Sequence, residues 1–179
     1  MADIGINWMA ILPQLILAGV GCLVLVVTAG RRGKAGNGVL WLSILATVAA
    51  LVAAWMMKTG EPAFAGSVAV DGVSRILYVL LSVAALMTLL ITAGYSGRWE
   101  VESGEYYALI LLATTGMMDM VAGLELVTIF IGLEVASISQ YILAAFRWHR
   151  PQATEASVKY LLLGAFASGF LLYGIALVY

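Results

Sequence analysis

The sequence predicts an all-helical, polytopic membrane protein with about six transmembrane helices. Three observations point there. Hydrophobic residues make up 63% of the 179 positions and charged residues only 11%, with a mean hydropathy of +1.03. A soluble domain is nearer half apolar and a quarter charged. The apolar residues also gather into six long runs, against the roughly 20 helical residues that cross a hydrocarbon core of about 30 Å. Within each run they are continuous, where barrel strands would alternate apolar with polar.

In chain order the predicted spans are 8–29, 39–57, 73–95, 106–121, 125–146 and 155–179, forming one transmembrane domain over 1–179. The basic, glycine-rich "GRRGKAGNG" ends the first. "KTGEPAFAGSVAVDG", with Pro62, separates the second from the third. The charged "SGRWEVESGE" leads to the fourth, which is short for a span. The turn "AGL" joins it directly to the fifth, and "RWHRPQ" leads to the sixth. "MADIGINW" has an acid and no cation before the first run, which is wrong for a cleaved signal peptide, so that run is expected to be retained. "LLLYGIALVY" ends the chain flush with the sixth span, as the first part of a longer protein would.

Loop charge predicts the orientation. Of nine cations, Arg31, Arg32, Lys34, Arg98, Arg147, Arg150 and Lys159 fall on one side, and Lys58 and Arg75 on the other. The richer side is expected in the cytoplasm, with the N-terminus outside. The net charge of −1 gives no sign of a nucleic-acid partner; the lipid bilayer is the expected one. There is no nucleotide-binding glycine loop, Cys–His metal cluster or Ser–His–Asp pattern. The one histidine, His149, sits among cations at the expected membrane surface. Cys22 reads as a small buried side chain. Gly132, Gly164 and Gly169 suit close helix contacts. The eight methionines read as packing or lipid-facing residues.

Most of the ten acids lie in connections. Asp119 and Glu125 flank the turn between spans four and five. Glu125 is expected in the first turn of its helix, where the dipole favours an anion. Asp119 stands about one turn inside the edge, as an interfacial residue reaching water or as a functional carboxylate. Glu134, within "TIFIGLEVASIS", is different. At 1.5 Å per residue it lies ~13 Å from Glu125 and ~18 Å from Phe146, near the midplane. An acid there costs roughly 2.5–3.5 kcal/mol to insert. It must be protonated, paired or beside internal water. Burial favours the neutral carboxyl and a nearby cation the charged one, so a carboxyl between those influences suits a proton relay. Ser137 and Tyr141, at i+3 and i+7, share its face and are possible supporting groups. Lys159 has Glu155 four residues before it, a favourable helical pair. It reads either as a lysine snorkelling at the rim or as a second member of the path. Direct contact with Glu134 is not expected, because Glu134 lies more than ~10 Å deeper.

"EYYALILLATTGMMDMVAGLELVTIFIGLEVASISQYILAAFR" resembles the fourth and fifth spans of subunit N of respiratory complex I, the bacterial NADH–quinone oxidoreductase. "EASVKYLLLGAFASGFLLYGIALVY" resembles the sixth. The likeness covers residues 105–179 well; earlier spans match in hydropathy and in "LPQLILA". It implies a part of a larger antiporter-like helix bundle and a membrane-arm role in proton translocation coupled to quinone reduction. It implies no cofactor on this chain; the whole complex uses NADH, FMN, iron–sulfur clusters and quinone. Other membrane-arm subunits are the implied partners and the bacterial inner membrane the implied location. On the family pattern Glu134 and Lys159 map onto proton-path residues. The alternative is a subunit of a related multisubunit cation/proton antiporter. There are departures. Asp119 stands where the family is often apolar, "SISQY" replaces a frequent "SLPLY", and the family's later broken helices, with their lysines, have no counterpart here.

Overall fold

The computed structural model describes residues 8–29, 37–57, 67–99, 104–147 and 149–179, with only the backbone over 95–99. The fold class is as expected: an all-helical bundle suited to a membrane. A 3-10 turn, Trp8–Ile11, leads into α1 (Leu12–Ala29). Then follow α2 (Asn37–Met56), α3 (Gly72–Trp99), α4 (Gly104–Ala122), α5 (Leu126–Ala144) and α6 (Pro151–Val178). Pro13 and Pro151 stand in the first turns of α1 and α6, where the missing N–H would have had no intrahelical partner anyway. Buried hydroxyls are satisfied within their own helices. Thr28, Ser43, Thr47, Ser82, Thr114 and Thr115 each donate to the carbonyl four residues back, which suits an environment without water.

Five of the six helices are long and apolar enough to cross a membrane. The one that is not, α4, lies at the centre. It packs against α1, α2, α3 and α5, and 12 of its 19 residues are buried. Surrounded by protein, it carries Thr114, Thr115 and Asp119 without presenting them all to lipid. Its partners contribute Leu17 and Val24 from α1 and Tyr78 and Leu89 from α3, packed in one core with Leu111 and Met118 of α4. By contrast, α6 touches mainly α5, and only 6% of its apolar window is buried.

The α4–α5 contact is backbone against backbone. A Cβ on Gly116 would lie 2.5 Å from the Ala136 nitrogen and the Gly132 oxygen; one on Gly132 would lie 2.8 Å from the Gly116 oxygen and the Met120 nitrogen. Small residues permit this approach, and dispersion then holds the pair. The α4–α5 turn is also strapped to the segment before α3. Ala69 donates its N–H to the Ala122 oxygen and Leu124 donates to the Ser67 oxygen, both at 3.0 Å, around an antiparallel Val68–Gly123 bridge. Asp71 caps α3: the Ser74 N–H and hydroxyl both donate to its carboxylate at 2.7 Å. These donors hold the Asp71 carboxyl below its ordinary value of 3.8.

Four expectations need correction. Cys22 is exposed, because its neighbour Gly21 faces α4 and Cys22 is turned outward. Glu125 occupies the position just before the first turn of α5, without a side-chain cap. Gly169 meets open space rather than a neighbouring helix. Arg98 belongs to α3, which runs on to Trp99, rather than to a connection. Arg31, Arg32, Lys34, Lys58, Glu61, Glu100 and Glu102 lie outside the described residues.

Candidate proton-path site

Glu134 stands near the middle of α5. The α4-facing stripe of α5 is Ile129, Gly132 and Ala136. Two residues on from Gly132, Glu134 is rotated about 200° around the helix. It therefore points away from α4, to the side shared with Tyr141. Its Oε1 is shielded from solvent and has no hydrogen-bond partner among the described residues. An unserved buried acceptor costs about 1–3 kcal/mol, and more when charged.

Tyr141 lies seven residues along the same face, ~10 Å nearer the Ala144 end. Its ring packs edge-on against Tyr160 of α6, with centroids 4.8 Å apart. Its hydroxyl fills the space that a side chain on Gly164 would take. Beside it, Tyr160 donates a 2.9 Å hydrogen bond to the Gln140 Oε1. Gln140 thus links α5 to α6, and α5 continues through it as regular helix. Ser139 donates to the Val135 carbonyl at 2.8 Å. Ser137 is half-buried, between the Glu134 and Ala136 faces.

Lys159 is not brought to Glu134. Its ammonium lies 2.5 Å from Glu155 Oε1, one turn earlier on α6, with both side chains about two-thirds exposed. Its neighbour Tyr160 is level with Tyr141, so Lys159 is on the order of 10–15 Å from Glu134 along the axis. The expected helical pair is present; a direct contact with Glu134 is not.

Asp119 is on the other side of the α4–α5 contact, half-buried near the end of α4. Two residues on, the Val121 carbonyl is reached by the Ser74 hydroxyl of α3 at 3.4 Å, one turn before Tyr78. Tyr78 is fully buried and accepts a hydrogen bond from the Nε2 of Gln14, on α1. Gln14 and Tyr78 were not singled out by the sequence reading. A glutamine just inside the first apolar run was the available signal, since polar groups at membrane depth seldom lack a partner.

Residues 123–179 match the family described as NADH:quinone oxidoreductase/Mrp antiporter, TM. NADH-quinone oxidoreductase subunit N of Trichlorobacter lovleyi is 41% identical over 177 residues, covering 97% of this chain and 36% of that protein. The chain is homologous to a part of subunit N. It spans about a third of the length of this relative. Among solved structures, a chain of respiratory complex I from Thermus thermophilus with bound aureothin superposes with a TM-score of 0.75 at 33% identity, covering 93% of this chain and 36% of that one. A chain of the membrane-bound sulfane sulfur reductase, an archaeal respiratory membrane complex, gives the same TM-score at 21% identity, over 96% and 36%. That second likeness concerns the fold alone.

Proposed function

We propose that this chain serves in the membrane arm of a bacterial, proton-translocating NADH–quinone oxidoreductase, with Glu134 as a proton-exchangeable carboxyl. The observation that carries this reading is the shielded Glu134 Oε1, which has no hydrogen-bond partner among the described residues and sits mid-helix on a face turned from the core. A carboxyl so placed is neutral, or is served by water or a cation from groups packed on that face. Switching between those conditions takes up or releases a proton. In this reading the chain sits in the inner membrane with its N-terminus outside and assembles with other membrane-arm subunits. Redox chemistry is left to the parts of the complex that hold flavin and clusters. Lys159, joined to Glu155 at the α6 rim, supplies a proton-accessible cation between the cytoplasmic surface and the path. Ser137 and Tyr141 support the hydration of the Glu134 face.

The test is Glu134→Gln in the assembled complex. Protons pumped per quinone reduced should fall, while electron transfer to quinone is retained or slowed with it. An unchanged ratio sinks the relay role. Lys159→Met should reduce coupled activity; a normal rate would mean that Lys159 is only an interfacial residue. The family description also embraces Mrp antiporters. Co-purification with flavin- and cluster-bearing subunits favours the oxidoreductase; sodium-dependent transport without them favours the antiporter.

A further inference from the structure

Gln14 of α1 and Tyr78 of α3 meet toward the Trp8 end of the bundle, and Asp119 of α4 lies at that same end. We propose that they form a second polar site, one that binds internal water and connects Asp119 to the membrane surface at that end. The Gln14 amide is the first reason. It is buried and gives its Nε2 hydrogen to Tyr78, leaving Oε1 without a partner among the described residues. Turning the amide over exchanges the roles: Tyr78 then donates to the oxygen and the NH2 is left over. Either way one buried polar group of Gln14 needs a partner, and water is the molecule that serves a donor or an acceptor equally.

The second reason is convergence at one depth. Ser74 of α3 reaches the Val121 carbonyl of α4 at 3.4 Å, which sets the first turn of α3 against the last turn of α4. Tyr78 is one turn beyond Ser74 on α3, and Asp119 stands two residues before Val121 on α4. Asp119 is about 4.5 Å from the end of α4, and Gln14 and Tyr78 about 9 Å past Trp8 and Gly72. A short water chain spans such a depth. Among described residues α1 and α2 carry no charge. Near this site α3 brings Tyr78 and the exposed Arg75, with Asp71 just before the helix, and the exposed Glu125 opens α5. Glu134 is on the opposite face of α5, and the Gly116–Gly132–Ala136 backbone contact between the helices leaves no room for water there. The site is therefore separate from the Glu134 face.

Cysteine accessibility in membranes containing the chain tests this. Cys22 is the chain's one cysteine, so Cys22→Ser supplies the background. There, Asp119→Cys should react with a small, charged, water-soluble thiol reagent within about tenfold of the rate of the exposed control Glu125→Cys, because the thiolate forms only where water reaches. Adding Gln14→Leu, which replaces the amide with an apolar group, should slow Asp119→Cys by about tenfold or more. Tyr78→Phe, a gentler change, should slow it in the same direction. If Asp119→Cys reproduces in-membrane levels of the chain yet stays unmodified, the site is dry and the proposal fails. It fails equally if modification is fast and neither Gln14→Leu nor Tyr78→Phe slows it. Should Asp119→Cys not accumulate, Gln14→Cys substitutes: modification supports the site and inertness overturns it.

Discussion

Gly116→Ala is the sharpest test of the packing that orients α5. The added Cβ would meet the Ala136 nitrogen and the Gly132 oxygen at 2.5 Å and the Ala136 Cα at 3.1 Å. All three are backbone atoms, so no side chain can swing aside. Ordinary contact begins near 3.4 Å, so α4 and α5 must separate locally by about 0.9 Å. A gap of that size forfeits a quarter to a half of each affected dispersion contact, and overpacking of this kind typically costs about 1–3 kcal/mol. Alanine recovers at most about 1 kcal/mol through its better helix propensity, so the net effect is destabilising. Gly169→Ala is the internal control. Nothing lies within 4 Å of a Cβ there, so only the propensity gain of up to about 1 kcal/mol remains. The assay is thermal unfolding of the chain in lipid nanodiscs, followed by far-ultraviolet circular dichroism. Gly116→Ala should melt below the parent and Gly169→Ala at or above it. A Gly116→Ala midpoint equal to or above that of Gly169→Ala would refute the close α4–α5 contact.

Other outcomes follow from the same geometry. Gly164→Ala should displace the Tyr141 ring and break its edge contact with Tyr160. A double-mutant cycle with Tyr141→Ala should show coupling of about 0.5–3 kcal/mol, and strict additivity would mean that the two do not touch. Asp71→Asn addresses pH. The folded-state carboxyl is held below its ordinary value by Ser74, so its contribution is present above about pH 4 and is lost as pH falls through the folded-state value. The parent's melting midpoint should therefore decline more steeply below about pH 4 than that of Asp71→Asn; parallel curves would show that the cap does not act.

Much of this architecture was readable because lipid writes itself into composition. Five helices announce themselves by length and apolarity. Glu134 announces itself as an acid in the middle of an apolar run, and its Oε1 is indeed shielded and without a partner among the described residues. The placement of α4 was not readable in the same way. Short and polar for a span, it turns out to be the most enclosed helix, because a helix wrapped in protein need not be as apolar as one facing lipid. Cys22 fails for a related reason. In an apolar run the lipid face and the protein face look alike, so burial cannot be assigned from hydropathy. Gly132 and Gly164 sit at contacts and Gly169 does not, although all three look equivalent along the chain. The Gln14–Tyr78 pair joins residues 64 positions apart; Gln14 stands out in an apolar run, but nothing along the chain names Tyr78 as its partner.

The strap between residues 67–69 and the α4–α5 turn has a mechanical consequence. Two hydrogen bonds, one to Ala122 at the end of α4 and one from Leu124, pin the α4–α5 turn to the segment before α3, whereas toward Ala144 the contacts are between side chains: Tyr141 with Tyr160 of α6, and Phe146, just past the helix, with Tyr106 of α4. Gly132 and Ala136 are seated against the α4 backbone, so any tilting of α5 pivots on that contact and displacement grows from it toward Ala144. Glu134 lies between these two residues, at the pivot, and Tyr141 and Gln140, which grip α6, ride nearer the moving tip. A push delivered through α6 would thus move the tip most and reach the carboxyl chiefly as a rotation, without the turn being disturbed.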